Sequence, residues 1–257
     1  MSKDANKFKF GNLHLKNAEE VSNYTKTFIE QAEYNITQCI PDKIFLLEKL
    51  DKEEFKCYKD IASIEVDIEL SQEAIDFSRK NQNNDEAPSN PAVKKRKLDN
   101  GEDNDSKIPS VPCNKKLIKL IDLLKPEIKD LITTCEKLKT WIQLLIPKIE
   151  DGNNFGVSIQ EEVLNEVHRI EADSINYLDG ISRYFITRGK IVSKVAKYPY
   201  LDDYKRAIKE VDEKEYLTLL FSVNDIKSHY LLILDLVSKN YEKIKKPRSQ
   251  SNIDSMY

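Results

Sequence analysis

The chain has 257 residues, with 41 Lys and Arg against 44 Asp and Glu, and a net charge of -3 leaves no overall positive field to draw it to nucleic acid or an anionic membrane. Charged residues make up 33% and glycines number only 6, which, with no sustained strand alternation, points to long solvated helices. No apolar run approaches the roughly 20 residues that cross a bilayer and MSKDANKFKF has no signal-type apolar core, so a soluble intracellular protein without membrane or nucleic-acid partners is expected.

In chain order, AEEVSNYTKTFIEQAEYNITQC predicts an amphipathic helix facing inward on Val21, Tyr24, Phe28, Ala32, Ile36 and Cys39, and continuing past Pro41 through DKIFLLEKL. Residues 55 to 78 are two-sided. IEVDIEL alternates with the period of a strand, while Ile61, Ile64, Ile68 and Ile75 also fit a helix, which is the favoured reading. Residues 79 to 113 then bring four prolines, abundant Asn and Asp and almost no large apolar side chains. Such a segment buries too little surface to offset its ordering entropy and is expected to be a disordered linker.

After Pro112 the spacing four, three, four places Leu117, Ile121, Leu124, Ile128, Leu131, Cys135, Leu138, Ile142, Leu145 and Ile149 on one seam. Ile118, Leu120, Ile132, Trp141 and Leu144 widen it, so this helix should touch several neighbours. Pro126 should kink it and Pro147 should disturb its last turn. From Ser158 a second stripe runs through Val163, Val167, Ile170, Tyr177, Ile181, Tyr184, Ile191 and Val195. YPYLDDY makes a turn at Pro199, and a last helix carries Ile208, Val211, Leu219, Val223, Ile226, Tyr230, Ile233, Val237, Tyr241 and Ile244 until Pro247 stops it. Helices of roughly 40 residues, about 60 Å long, need partners along their length.

The fold expected is all-α, a four-helix bundle of long antiparallel helices. Its parts are an N-terminal helical portion (1 to 78), the linker (79 to 113) and a three-helix portion (114 to 257). Alternating directions put the loop at 150 to 158 and the C-terminus at the same end. That loop holds Gly152 and Gly156 around Asn153, Asn154 and Phe155, which gives access to positive backbone angles and a tight conformation. An ordinary helix connection would explain the glycines and asparagines. It would not explain Phe155, a large apolar side chain at the tip of a polar loop.

WIQLLIPKIEDGNNFGVSIQEE, YLDGISRYFITRGKIVSKVAKYP and DEKEY resemble the 11S proteasome activators over residues 114 to 257. VKKRKLD in the linker and the ending KIKKPRSQSNIDSMY are most similar to the nuclear, gamma-type branch. The resemblance implies a homo-oligomeric ring, a heptamer, that docks on the α-ring of the 20S proteasome and opens its gate without ATP. It further implies that Asp151, Gly152, Asn153, Asn154, Phe155 and Gly156 form the activation loop, and that Ser255, Met256 and Tyr257 anchor the tail between proteasome subunits. Multivalent presentation of weak tails would raise avidity by perhaps 100-fold.

Lys94, Lys95, Arg96 and Lys97 are a compact basic run, read as a nuclear import signal for an import receptor, with a solvated charge cluster as the alternative. Lys190, Lys194 and Lys197 share one helical face. A solvated surface is the ordinary explanation, and lining of a ring's central pore is the sharper one. No G-x-S-x-G, P-loop or H-E-x-x-H motif occurs, so no catalytic role is expected. Cys39, Cys57, Cys113 and Cys135 form no C-x-x-C pair and His14, His168 and His229 lack ligand spacing, so neither a metal nor another cofactor is expected. A helical scaffold that binds other proteins along its seams is the rival to the activator reading.

Overall fold

A computed structural model describes residues 15–55, 74–76, 111–149 and 154–248. Its long elements are all helical: α1 (Ala18–Tyr34), a five-residue π turn (Asn35–Cys39), α2 (Ile40–Glu53), α3 (Lys115–Leu145), α4 (Phe155–Lys197) and α5 (Asp202–Lys245). No strand occurs among the described residues. Of the segment 55 to 78, only residues 55 and 74–76 are described, and the last three are helical; the linker reading lies outside the described residues except for 111–113.

The chain divides into two compact units. The first draws on Met1–Lys56, Leu123–Leu178 and Leu220–Tyr257, the second on Cys57–Asp122 and Asp179–Leu219. In the first unit the α1–α2 stretch packs with α3, α4 and α5, and polar pairs report the directions. Lys245 meets Glu33 while Lys227 meets Glu48 at 2.6 Å, so α5 descends as α1 and α2 ascend. Lys139 meets Glu171 at 2.6 Å while Gln160 reaches the Leu145 carbonyl, which makes α3 and α4 antiparallel as well. Four neighbouring helical stretches therefore alternate as expected.

The α3 seam is buried from Leu117 to Ile142 and stops there. Each such side chain contributes about 1.5–3 kcal/mol by leaving water. Leu145 is only half-buried and Ile149 is 96% exposed. The helix ends at Leu145, just before Pro147, whose nitrogen cannot donate, so the periodic spacing beyond it no longer describes one face. Pro126 is accommodated within continuous helix. Cys135 sits wholly inside, and burial pushes its thiol up to about 12, which keeps it a small unreactive hydrophobe.

The N-terminal seam needs correction. Val21 and Tyr24 are exposed, Tyr24 at 72%, and the buried positions are Thr25, Ala32, Ile36, Ile40 and Leu47. Cys39 gives way to Ile40 because the π turn inserts one extra residue between Ile36 and the next inward position. Its cause lies in Pro41, whose ring would press on the Thr37 carbonyl in a regular helix and whose nitrogen offers no hydrogen bond. At the outer end of this unit Glu48 accepts hydrogen bonds from Lys227 and then Lys52, which hold its carboxyl down at about 2.

The second unit is built on a polar core. Asn114 caps α3, its Oδ1 accepting from the Lys116 and Leu117 N–H groups at 3.1 and 3.2 Å. Its Nδ2 donates to Asp212 Oδ2 at 3.0 Å, and Asp212 also accepts from Tyr184 Oη at 3.0 Å and Arg188 Nε at 3.0 Å. Arg188 occupies the gap in the α4 stripe between Tyr184 and Ile191, and it is buried.

Candidate functional site

Three helix ends meet in the first unit. The end of α3, the start of α4 and the end of α5 are tied by Gln160, which is wholly buried one turn into α4. Its Nε2 donates to the Ile244 carbonyl at 2.8 Å and to the Leu145 carbonyl at 3.2 Å. Carbonyls in the last turn of a helix have no intrahelical partner, so one amide serves two C-termini at once. Asn154 opens α4, its carbonyl accepting the Ser158 N–H at 3.0 Å.

Against this junction lies the root of the C-terminal tail. Lys246 N–H makes a last helical bond to the Glu242 carbonyl at 2.9 Å, and Pro247 follows. Gly156 touches it so closely that a Cβ there would fall 1.9 Å from the Pro247 carbonyl oxygen. Only glycine permits that approach. Arg248 then turns back: one terminal nitrogen donates to the Lys148 carbonyl at 3.0 Å and the other to Asn154 Oδ1 at 2.9 Å. Phe155 stands 66% exposed beside them.

Of the loop residues, Asn154, Phe155 and Gly156 are therefore brought onto the tail root, while Asp151, Gly152 and Asn153 lie outside the described residues. So do Ser255, Met256 and Tyr257, and the run Lys94, Lys95, Arg96 and Lys97. Lys190, Lys194 and Lys197 are exposed on α4 in the second unit. Lys194 lies over the Tyr204 ring at 5.5 Å and Lys197 over Tyr198 at 5.3 Å, so the turn YPYLDDY supports two of the three through cation–π contacts. His168 faces Glu171 at 3.7 Å and His229 faces Asp173 at 3.9 Å, each with its own carboxylate. Among the described residues no three His, Cys, Asp or Glu side chains group as metal ligands, and no helix is long and apolar enough to cross a membrane.

Gln160, Pro247 and Arg248 were not singled out from sequence as parts of this junction. A signal existed for Arg248 alone, as the cation directly after a helix-breaking proline.

Comparison with known proteins places this arrangement in a family. The model of the proteasome activator PA28 C-terminal region matches residues 110–254. Proteasome activator complex subunit 3 of Homo sapiens is 40% identical over 246 residues, covering 93% of this chain and 95% of that protein, and the same figures hold for the Gallus gallus protein. The crystal structure of the 11S subunit of the Plasmodium falciparum proteasome, PA28, superposes with a TM-score of 0.72 at 29% identity, covering 95% of this chain and 100% of that one. A structure of an archaebacterial 20S proteasome–PA26 complex matches at TM-score 0.59 and 14% identity over 94% of this chain and 100% of that one, which is a likeness of fold. The chain belongs to the PA28 family of proteasome activators, which are regulators.

Proposed function

We propose that this protein activates the 20S proteasome without ATP, as one subunit of a homoheptameric ring that docks through its C-terminal tails and opens the gate with the 150–158 loop. The observation that carries the reading is the contact of Gly156 with Pro247. A loop that pushes on a gate and a tail that grips must address the same partner surface, and the loop stems and the tail root are in direct contact. The identity to Proteasome activator complex subunit 3 supports the activity, and the exposed apolar side chains Phe45, Ile175, Phe185, Ile186, Phe221 and Leu231 suit burial against further copies of the chain.

In this reading Asp151, Gly152, Asn153, Asn154, Phe155 and Gly156 act on the gate, and Ser255, Met256 and Tyr257 enter the proteasome α-ring. Lys94, Lys95, Arg96 and Lys97 engage an import receptor and take the protein to the nucleus. Lys190, Lys194 and Lys197 line the pore and filter peptides by charge, and unchanged peptide selectivity in Lys190→Glu would contradict that role. The protein performs no chemistry of its own.

The test adds purified protein to latent 20S proteasome and follows a fluorogenic peptide. Stimulation is expected. Removal of Met256 and Tyr257 should abolish binding, while substitution of Asn153 or Asn154 should leave binding and abolish gate opening. An intact ring, confirmed by sizing, that gives no stimulation would favour the scaffold.

A further inference from the structure

We infer that Arg248 is a positioning residue that couples the tail to the loop, its guanidinium holding the two stems of the loop together from the root of the tail. The inference rests on the activator reading above. Lys148 lies before the loop and Asn154 behind it, and Arg248 donates to both, at 3.0 and 2.9 Å, from different nitrogens. Those partners are 100 and 94 residues away in sequence, so the contact exists only because three helix ends converge.

Chemistry favours arginine in this place. The guanidinium is planar, permanently charged, and presents its N–H groups in a fixed fork, so two acceptors satisfied together are held at a set separation. A lysine ammonium on a flexible stem imposes no such spacing. The fork is also delivered from a rigid point. Pro247 has a fixed backbone angle and ends the helix, and its backbone abuts Gly156 without room for a Cβ. A tail drawn into a partner would therefore carry Arg248, and with it both loop stems, into register. Docking would also exclude water from these exposed hydrogen bonds, which strengthens them at the moment the loop must resist the gate.

The experiment compares the full-length ring with its Arg248→Met and Arg248→Lys variants, each checked for intact assembly by sizing. Two readouts are taken: peptide hydrolysis at saturating activator alongside the affinity for 20S proteasome, and hydrogen exchange of the loop amides in the free ring. With Arg248→Met, affinity should stay within about 3-fold while maximal stimulation drops at least 5-fold, and loop exchange should accelerate about 10-fold. Arg248→Lys should recover only part of both. Asn154→Ala combined with Arg248→Met should be no worse than Arg248→Met alone, since coupled partners are non-additive. Full maximal stimulation in Arg248→Met would overturn the inference, as would a loss confined to affinity, which would make Arg248 a direct grip on the proteasome. If the unmodified ring fails to stimulate, the activator reading fails, and the exchange readout decides the stapling independently: unchanged loop exchange refutes it.

Discussion

Arg188 meets Asp212 at 3.0 Å with the aspartate side chain fully buried, and Tyr184 and Asn114 donate to the same carboxylate. Every oxygen of Asp212 is thereby engaged. Taking one partner from a buried pair strands the other charge, so Arg188→Met should destabilise the fold by about 3–5 kcal/mol in urea unfolding at fixed protein concentration. Arg188→Met with Asp212→Leu should lose less than Arg188→Met alone. A single-variant loss below about 1 kcal/mol would show that the pair is solvated rather than buried.

Glu215, one turn further along α5, gives the second unit a pH dependence. Burial raises its carboxyl from the usual 4.5 to about 7, opposed by Lys214 and reinforced by Asp212. Between those two values the folded protein holds a proton that the unfolded chain releases, so this contribution to stability falls as pH rises and is gone above pH 7. Glu215→Gln should be more stable than the parent at pH 8 by about 1–2 kcal/mol, discounted for partial solvent screening, and nearly equal at pH 4.5. Parallel denaturation curves at the two pH values would show it; a constant offset would refute it.

Two glycines of α4 separate helix propensity from close approach. A Cβ on Gly180 would meet nothing within 4 Å, so Gly180→Ala should stabilise by up to about 1 kcal/mol. Gly156→Ala gains the same propensity yet drives a methyl group into the Pro247 backbone. Its thermal midpoint should fall while helix content by circular dichroism is kept, and stimulation of the proteasome should be lost. A rise in midpoint for both variants would contradict the close approach.

The end of the α3 seam can be located by truncation. Leu124 is fully buried, and Leu124→Ala should cost about 2–5 kcal/mol. Ile149→Ala, beyond Pro147 and exposed, should change stability by no more than about 0.5 kcal/mol despite its matching spacing.

The seams of α3, α4 and α5 were legible because burial along a long helix repeats with the helix period, as Leu117 to Ile142 and Val223 to Val237 illustrate. Polar members of those seams were not. Gln160, Ser174 and Arg188 occupy inward positions that an apolar pattern passes over, and only their tertiary hydrogen bonds explain them. The glycine-rich loop advertised itself by composition, yet the requirement at Gly156 is a neighbour 91 residues later rather than a backbone angle. Tyr24 was misplaced for a different reason: near the start of α1 an exposed aromatic fits the same spacing as a buried one.

The π turn at Asn35–Cys39 leaves a trace in lineage as well as in geometry. Any relative whose first helix is regularly wound must differ from this chain by one residue there, so a faithful pairing of the two sequences opens its gap inside a helix, beside Pro41, where gaps are ordinarily penalised. Aligned without it, every inward position upstream of Ile40 would be matched to the wrong ancestor.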